Sequence, residues 1–258
     1  MRSATDDITR ALLRFGESID GWKLIPALST EAARLVYEDP FAFLLGASLD
    51  RGIPAEVAWT YPLWIHERFG HLDPARISAM SLEEIARVLA ACPRRPRYAR
   101  DAPRTVKEIA GIVMTAGRGD ARNLWAGRRP AEIRHVLTQV HGIGDGIAAM
   151  VIALLVRVFH VRFDDADQGT MDVKADVHVV RVLTRLGLLR DGRTTNAGSS
   201  RCSDADLALE VTRSMHPDNP GLLDAPLWVI GRTWCEPAVP RCDACPVAPV
   251  CEKRPLPT

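Results

Sequence analysis

The sequence predicts an all-α protein. Three observations carry this: apolar residues recur at helical spacing, no stretch has a convincing strand pattern, and helix-start signals recur along the chain. Residues 4–36 read as helical, with Ile8, Leu12 and Phe15, then Leu28, Ala32 and Leu35, on the apolar side. Gly16, Gly21 and Pro26 interrupt them. Asp39-Pro40 starts a helix to Leu49 that is apolar nearly all round, the pattern of a buried helix. Asp50-Arg51-Gly52-Ile53-Pro54 breaks it, and a further helix is expected from Ala55 to about Phe69. Ser81 and Glu84 form a capping-box pair ahead of Ile85, Val88 and Leu89. Helical pattern continues over Val106–Met114, from Pro130 to Val140, and from Ile147 to about Phe159. Residues 162–174, with four aspartates and a glycine, read as a loop or insertion. Asp176–Leu188 is helical, with Val177, Val180, Leu183 and Leu186 or Leu188 expected inward. Residues 190–202 read as a mobile Gly/Ser/Thr/Asn loop, followed by helices over Asp204–Met215 and Leu222–Trp234.

Composition bounds the function. With 258 residues and 47% apolar content, the chain can hold one large domain or two small ones. It has no run of eighteen apolar residues, so no membrane span is expected. Met1–Arg10 lacks an apolar core and is no signal peptide. Cys92 and Cys202 are isolated, which fits a reducing cytoplasm. A net charge of +1 lends no support to a nucleic-acid partner, so distribution has to decide. Arg94, Arg95, Arg97, Arg100, Arg104 and Lys107 cluster against Asp101, with Tyr98 among them. They fit either a solvated helix face or a set of phosphate contacts, of which Arg94, Arg95 and Arg97 are the leading candidates.

The remaining four cysteines, Cys235, Cys242, Cys245 and Cys251, fall within seventeen residues with spacing C-x6-C-x2-C-x5-C. A segment that short and proline-rich cannot bury a core, and metal–thiolate bonds would supply the missing cohesion. Four thiolates suit zinc or an iron–sulfur cluster. Only Cys242 and Cys245 form a CxxC pair, and this uneven spacing favours a [4Fe–4S] cubane in a single loop. Two disulfides or free thiols are the alternatives.

Two further stretches carry chemistry. Val140-His141-Gly142-Ile143-Gly144-Asp145-Gly146-Ile147-Ala148 places two glycines between helices, where exposed N–H groups at a helix start form an anion site suited to a DNA phosphate. A bare G-x-G is a weak signal by itself. Asp176 precedes an amphipathic helix, where an aspartate is commonly just an N-cap.

In this order along the chain, hairpin, aspartate helix and cysteine loop together resemble the endonuclease III family of helix-hairpin-helix DNA glycosylases. Gly142, Ile143, Gly144 and Ala148 match that family's L-P-G-V-G-x-K-T-A. Asp176, His178, Arg181 and Val182 match its V-D-T-H-x-x-R-V. The resemblance covers about Pro40 to Cys251 and implies two all-α lobes: residues 38–161 as a helical barrel ending in the hairpin, and residues 1–37 with 162–258 as a cluster domain. It implies double-stranded DNA with a damaged or mispaired base as partner, the base flipped into a groove between lobes, and a monomeric, cytoplasmic repair enzyme. Asp176 would stabilise cationic sugar character and orient the attacking water. Family members that also cut the strand carry a lysine where this chain has Gly146, so a glycosylase without lyase activity is expected. Lys174 could replace that amine if residues 174–176 are extended and point both side chains one way. A non-catalytic iron–sulfur lesion sensor is the other alternative. Asp145 puts a negative charge beside the expected phosphate site. Arg51 stands where the family has a glutamine that fills the space left by the flipped base, and is long enough to enter the stack. Ala47 stands at the position of the adenine-glycosylase branch's glutamate, which argues against that branch. The cluster is expected to be structural.

Overall fold

The computed structural model describes residues 4–189 and 203–256, and every regular element among them is helical. The loop expected at 190–202, with Cys202, lies outside the described residues. The chain forms two compact units, Met1–Asp20 with Val161–Thr258 and Gly21–His160. The first unit opens with α1 (Ala4–Glu17). The second holds α2 (Thr30–Glu38), α3 (Pro40–Leu49), α4 (Ala55–Ala58), α5 (Tyr61–Phe69), α6 (Pro74–Ala79), α7 (Leu82–Ala91), α8 (Ala102–Thr115), α9 (Pro130–Thr138) and α10 (Asp145–Arg157). The chain then returns to the first unit with α11 (Asp165–Gln168), α12 (Val177–Arg185), α13 (Asp204–Met215) and α14 (Asp224–Thr233).

In the second unit α3 is the central helix. Asp39 caps it, its carboxylate accepting the Phe41 and Ala42 N–H groups at 2.8 and 3.3 Å, and every residue from Phe41 to Leu49 is buried. It needs no polar face because α2, α5, α8 and α10 surround it. Phe43 meets the rings of Trp59, Phe159 and Trp125 at centroid distances of 5.8, 4.8 and 6.3 Å. Gly46 lets Trp59 lie on the helix, since a Cβ there would sit 2.6 Å from the indole.

Some expectations are corrected. The helix expected from Ala55 to Phe69 breaks at Trp59–Thr60, because Pro62 has no N–H to continue it. The Asp73-Pro74 pair starts α6, which the sequence reading passes over; the signal is the one at Asp39-Pro40, and the Asp73 carboxylate accepts the Ala75 N–H at 2.8 Å. The Ser81–Glu84 capping box forms as read. Residues 21–37, grouped in the sequence reading with the C-terminal half, belong to the second unit. There α2 packs on α3 and α5, and Tyr37 contacts the Trp22 and Phe159 rings.

The first unit is built on α14, which packs against α12 and α1. Ile8 and Leu12 of α1, Val179, Val182, Leu183 and Leu186 around α12, and Leu227 and Ile230 of α14 share one core with Val247 of the cysteine loop. Val177, expected inward, is 70% exposed. Valines at 177, 179, 180 and 182 fit two helical faces, and the 179/182/183/186 face is the one that packs. Residues 162–174 hold the single-turn α11 within otherwise irregular chain.

Candidate functional site

In the second unit the hairpin joins α9 to α10. Gly142 has φ +83°, a left-handed conformation that favours glycine, whereas Gly144 is extended and caps α10. Ile143 is buried and anchors the turn, its N–H donating to Val140 O at 3.0 Å. The N–H groups of Gly142, Gly144, Asp145 and Gly146 find no acceptor among the described residues. They are the free donors of a helix start, and Asp145 beside them is exposed.

The inner side of the hairpin is fully committed. The His141 N–H donates to Glu108 at 2.6 Å, and Thr105 donates to His141 O at 2.7 Å. Arg51 donates to Gly142 O at 3.1 Å and to the Thr105 hydroxyl at 3.0 Å. Its guanidinium carbon lies 5.5 Å from the centre of the Tyr98 ring, and burial lowers its pKa. A Cβ on Gly142 would fall 1.7 Å from Arg51 Nη1, so the glycine makes room for the arginine. Burial pushes the Glu108 carboxyl up, but the Arg104 guanidinium and the His141 N–H outweigh it and hold it below its ordinary value. Arg51, expected to enter the base stack, is thus bonded to the hairpin. Thr105 and Glu108, missed in the sequence, sit four and seven residues after Asp101 on one face of α8.

The arginine segment lies between α7 and α8. The Tyr61 hydroxyl donates to Arg94 O at 3.0 Å and pins its start, and Pro96 is buried. Arg94, Arg95, Arg97 and Arg100 are exposed and make no side-chain hydrogen bond or ion pair among the described residues. Arg104 and Lys107 are taken, by Glu108 at 2.6 Å and Met80 O at 2.5 Å.

In the first unit Asp176 is the N-cap of α12. Its Oδ1 accepts the His178 and Val179 N–H groups at 2.8 and 3.1 Å. Oδ2 has no partner among the described residues, so the cap fixes the carboxylate and leaves one oxygen uncommitted. The Asp176 N–H donates to Lys174 O at 2.7 Å, a three-residue turn. Residues 174–176 are therefore not extended, and the alternation that would align Lys174 with Asp176 does not apply. Arg181, three residues after His178, meets His178 Nδ1 at 2.9 Å and donates to Gly231 O at 2.7 Å and Cys235 O at 2.6 Å. Asp172 is held by Arg213 through two bonds of 2.8 Å.

Cys235, Cys242, Cys245 and Cys251 are free thiols that line one cavity of about 50 Å³ with Val182, Ile230, Trp234 and Val247. No group of three or more His, Cys, Asp or Glu among the described residues is placed to hold a single metal ion. Four cysteine sulfurs around one apolar cavity are a donor set that suits zinc or an iron–sulfur cluster. Burial pushes the Cys245 and Cys251 thiols up, and their neighbouring cysteines add to this. Arg185, buried on α12, donates to Cys235 Sγ at 3.4 Å, Glu236 O at 2.7 Å and Pro237 O at 2.8 Å. Its sequence signal is a charge between Val182 and Leu186 on the packed face.

No protein-family model matches the sequence, and no curated protein matches it. Solved structures do. A non-covalent endonuclease III–DNA complex superposes with TM-score 0.63 at 18% identity, over 98% of this chain and 97% of that one. A trapped endonuclease III–DNA covalent intermediate gives 0.61 at 16%, over 98% and 97%, and a thermostable thymine-DNA glycosylase gives 0.59 at 15%, over 97% and 96%. The chain has the all-α fold of the endonuclease III-like helix-hairpin-helix glycosylases.

Proposed function

We propose that this protein is a monofunctional DNA glycosylase that hydrolyses the N-glycosidic bond of a damaged or mispaired base in double-stranded DNA. The observation that carries this reading is Asp176: on an endonuclease III-like fold, its carboxylate is clamped by two amides through Oδ1 while Oδ2 stays uncommitted. A fixed, ionised oxygen stabilises the oxocarbenium character that grows on the sugar as the base departs, and it orients water. Gly146 offers no amine, so water is the nucleophile. The free amides of Gly142, Gly144, Asp145 and Gly146 take a phosphate, Ile143 anchors their turn, and Arg94, Arg95 and Arg97 add sequence-independent phosphate contacts. Base flipping then selects for weakly paired nucleotides.

Cys235, Cys242, Cys245 and Cys251 would hold a [4Fe–4S] cluster, a reading supported by their lining one cavity. When bound it supplies cross-linking of the loop, since glycosidic hydrolysis needs no electron. The protein is read as a monomer acting where thiols stay reduced.

The test is a panel of duplexes each holding one lesion, scored separately for base release and strand breakage. Base release without strand breaks until alkali is added is the expected result. Asp176→Asn should keep DNA binding and lower base release roughly a hundredfold. An Asn variant at the wild-type rate removes Asp176 from catalysis. Direct strand cutting that borohydride traps, and that Lys174→Ala abolishes, would make Lys174 the amine of a bifunctional enzyme.

A further inference from the structure

Asp224, the first residue of α14, reaches back to the catalytic turn: its Oδ1 accepts the Lys174 N–H at 2.6 Å. Two residues on, the Asp176 N–H closes the turn on Lys174 O at 2.7 Å, so the placement of residue 174 is passed directly to Asp176. The far end of α14 holds the same helix, where Gly231 O accepts Arg181 Nη2, which also meets His178. Thus both ends of α14 hold the Asp176 segment, Asp224 at the turn before α12 and Gly231 at Arg181 in the middle of α12.

The choice of an acid there needs a reason. Burial pushes the Asp224 carboxyl up to about 6, the Lys174 N–H opposes this, and the Asp176 charge adds to it. Holding a half-buried carboxyl beside a second acid costs stability, and an apolar residue would cost less. What an apolar residue cannot do is accept the Lys174 amide.

We propose that Asp224 is a positioning residue of the glycosylase site: by holding the Lys174 amide it fixes the turn that presents Asp176 Oδ2. This rests on the glycosylase reading above. A displacement of a catalytic group by about 1 Å can cost on the order of a hundredfold in rate.

The experiment compares Asp224→Asn, which keeps an acceptor oxygen at the same reach, with Asp224→Ala, which has none. Single-turnover base release should fall at least about tenfold in the Ala variant, with affinity for the lesion duplex within about twofold of wild type. The Asn variant should retain at least about half the wild-type rate. Amide exchange at residues 174–176 should quicken in the Ala variant and stay near wild type in the Asn variant. If the Ala variant does not fold, Asp224→Ser, whose hydroxyl is too short to reach, takes its place. The proposal is overturned if Ala or Ser releases base at the wild-type rate, if Asn is as impaired as Ala, or if affinity and rate fall together. Should the wild type release no base from any duplex, the glycosylase reading fails instead, while the exchange data still report whether Asp224 holds the turn.

Discussion

Arg51 illustrates how one residue's partners change its role. The family resemblance offered it a stack-filling part, but in the folded chain its guanidinium donates to Gly142 O and the Thr105 hydroxyl. Arg51→Met keeps the apolar stem and removes both bonds. We expect affinity for undamaged and lesion duplexes to fall alike, about three- to tenfold by fluorescence anisotropy, because loosening the hairpin would disturb the proposed phosphate site rather than base preference. A loss confined to lesion duplexes would return Arg51 to the base stack. Asp224 gives a pH signature of its own. Its folded pKa of about 6 lies above the ordinary 3.8, so the native state holds its proton more tightly than the unfolded state does. Stability therefore falls as pH rises from about 4 to about 6 and is level above that, by up to about 3 kcal/mol. Asp224→Asn should remove this slope; urea titrations of the two proteins across that range check it, and parallel curves would contradict it.

At the scale of elements, what the sequence made legible was local chemistry. Asp39-Pro40 and the Ser81–Glu84 box mark helix starts because cap hydrogen bonds are made within four residues. The four cysteines and the hairpin glycines were legible for the same reason, since each motif is contiguous. Arg185 and Asp224 were not, because their partners lie 50 or more residues away. The α12 register went wrong where valine occupies both candidate faces. Arg185 offers a test of the cluster loop. Arg185→Met would remove its bonds to the Glu236 and Pro237 carbonyls and to the buried Cys235 sulfur, at about 0.5–1.5 kcal/mol for each hydrogen bond lost. The purified variant should retain less iron per chain than wild type by elemental analysis; an unchanged ratio would show that the loop holds its shape without the guanidinium. The arginine segment predicts differently. Reversing Arg94 and Arg95 to Glu should weaken binding to every duplex and flatten the dependence of affinity on salt. An unchanged slope would place both side chains away from DNA.

For the whole molecule, the division into two units separates two kinds of failure. The groups proposed to bind phosphate sit on Gly21–His160, and the Asp176 carboxylate and the four thiols sit on the other unit. Cys242→Ser, or stripping iron with a chelator, should therefore quicken amide exchange across α12, α14 and the cysteine loop. Exchange within α3 and α8 should stay as in wild type. Uniform loss of protection would show that the units unfold together. The division is also discontinuous, and that orders events on the ribosome. Helix α1 emerges early, but its apolar face, Ile8 and Leu12, packs against a core supplied largely by α12 to α14 and the cysteine loop. The intervening unit is complete by His160, so it can form while α1 still waits with its leucine and isoleucine uncovered. That interval makes α1 the segment of the nascent chain on which a holdase chaperone has most to grip.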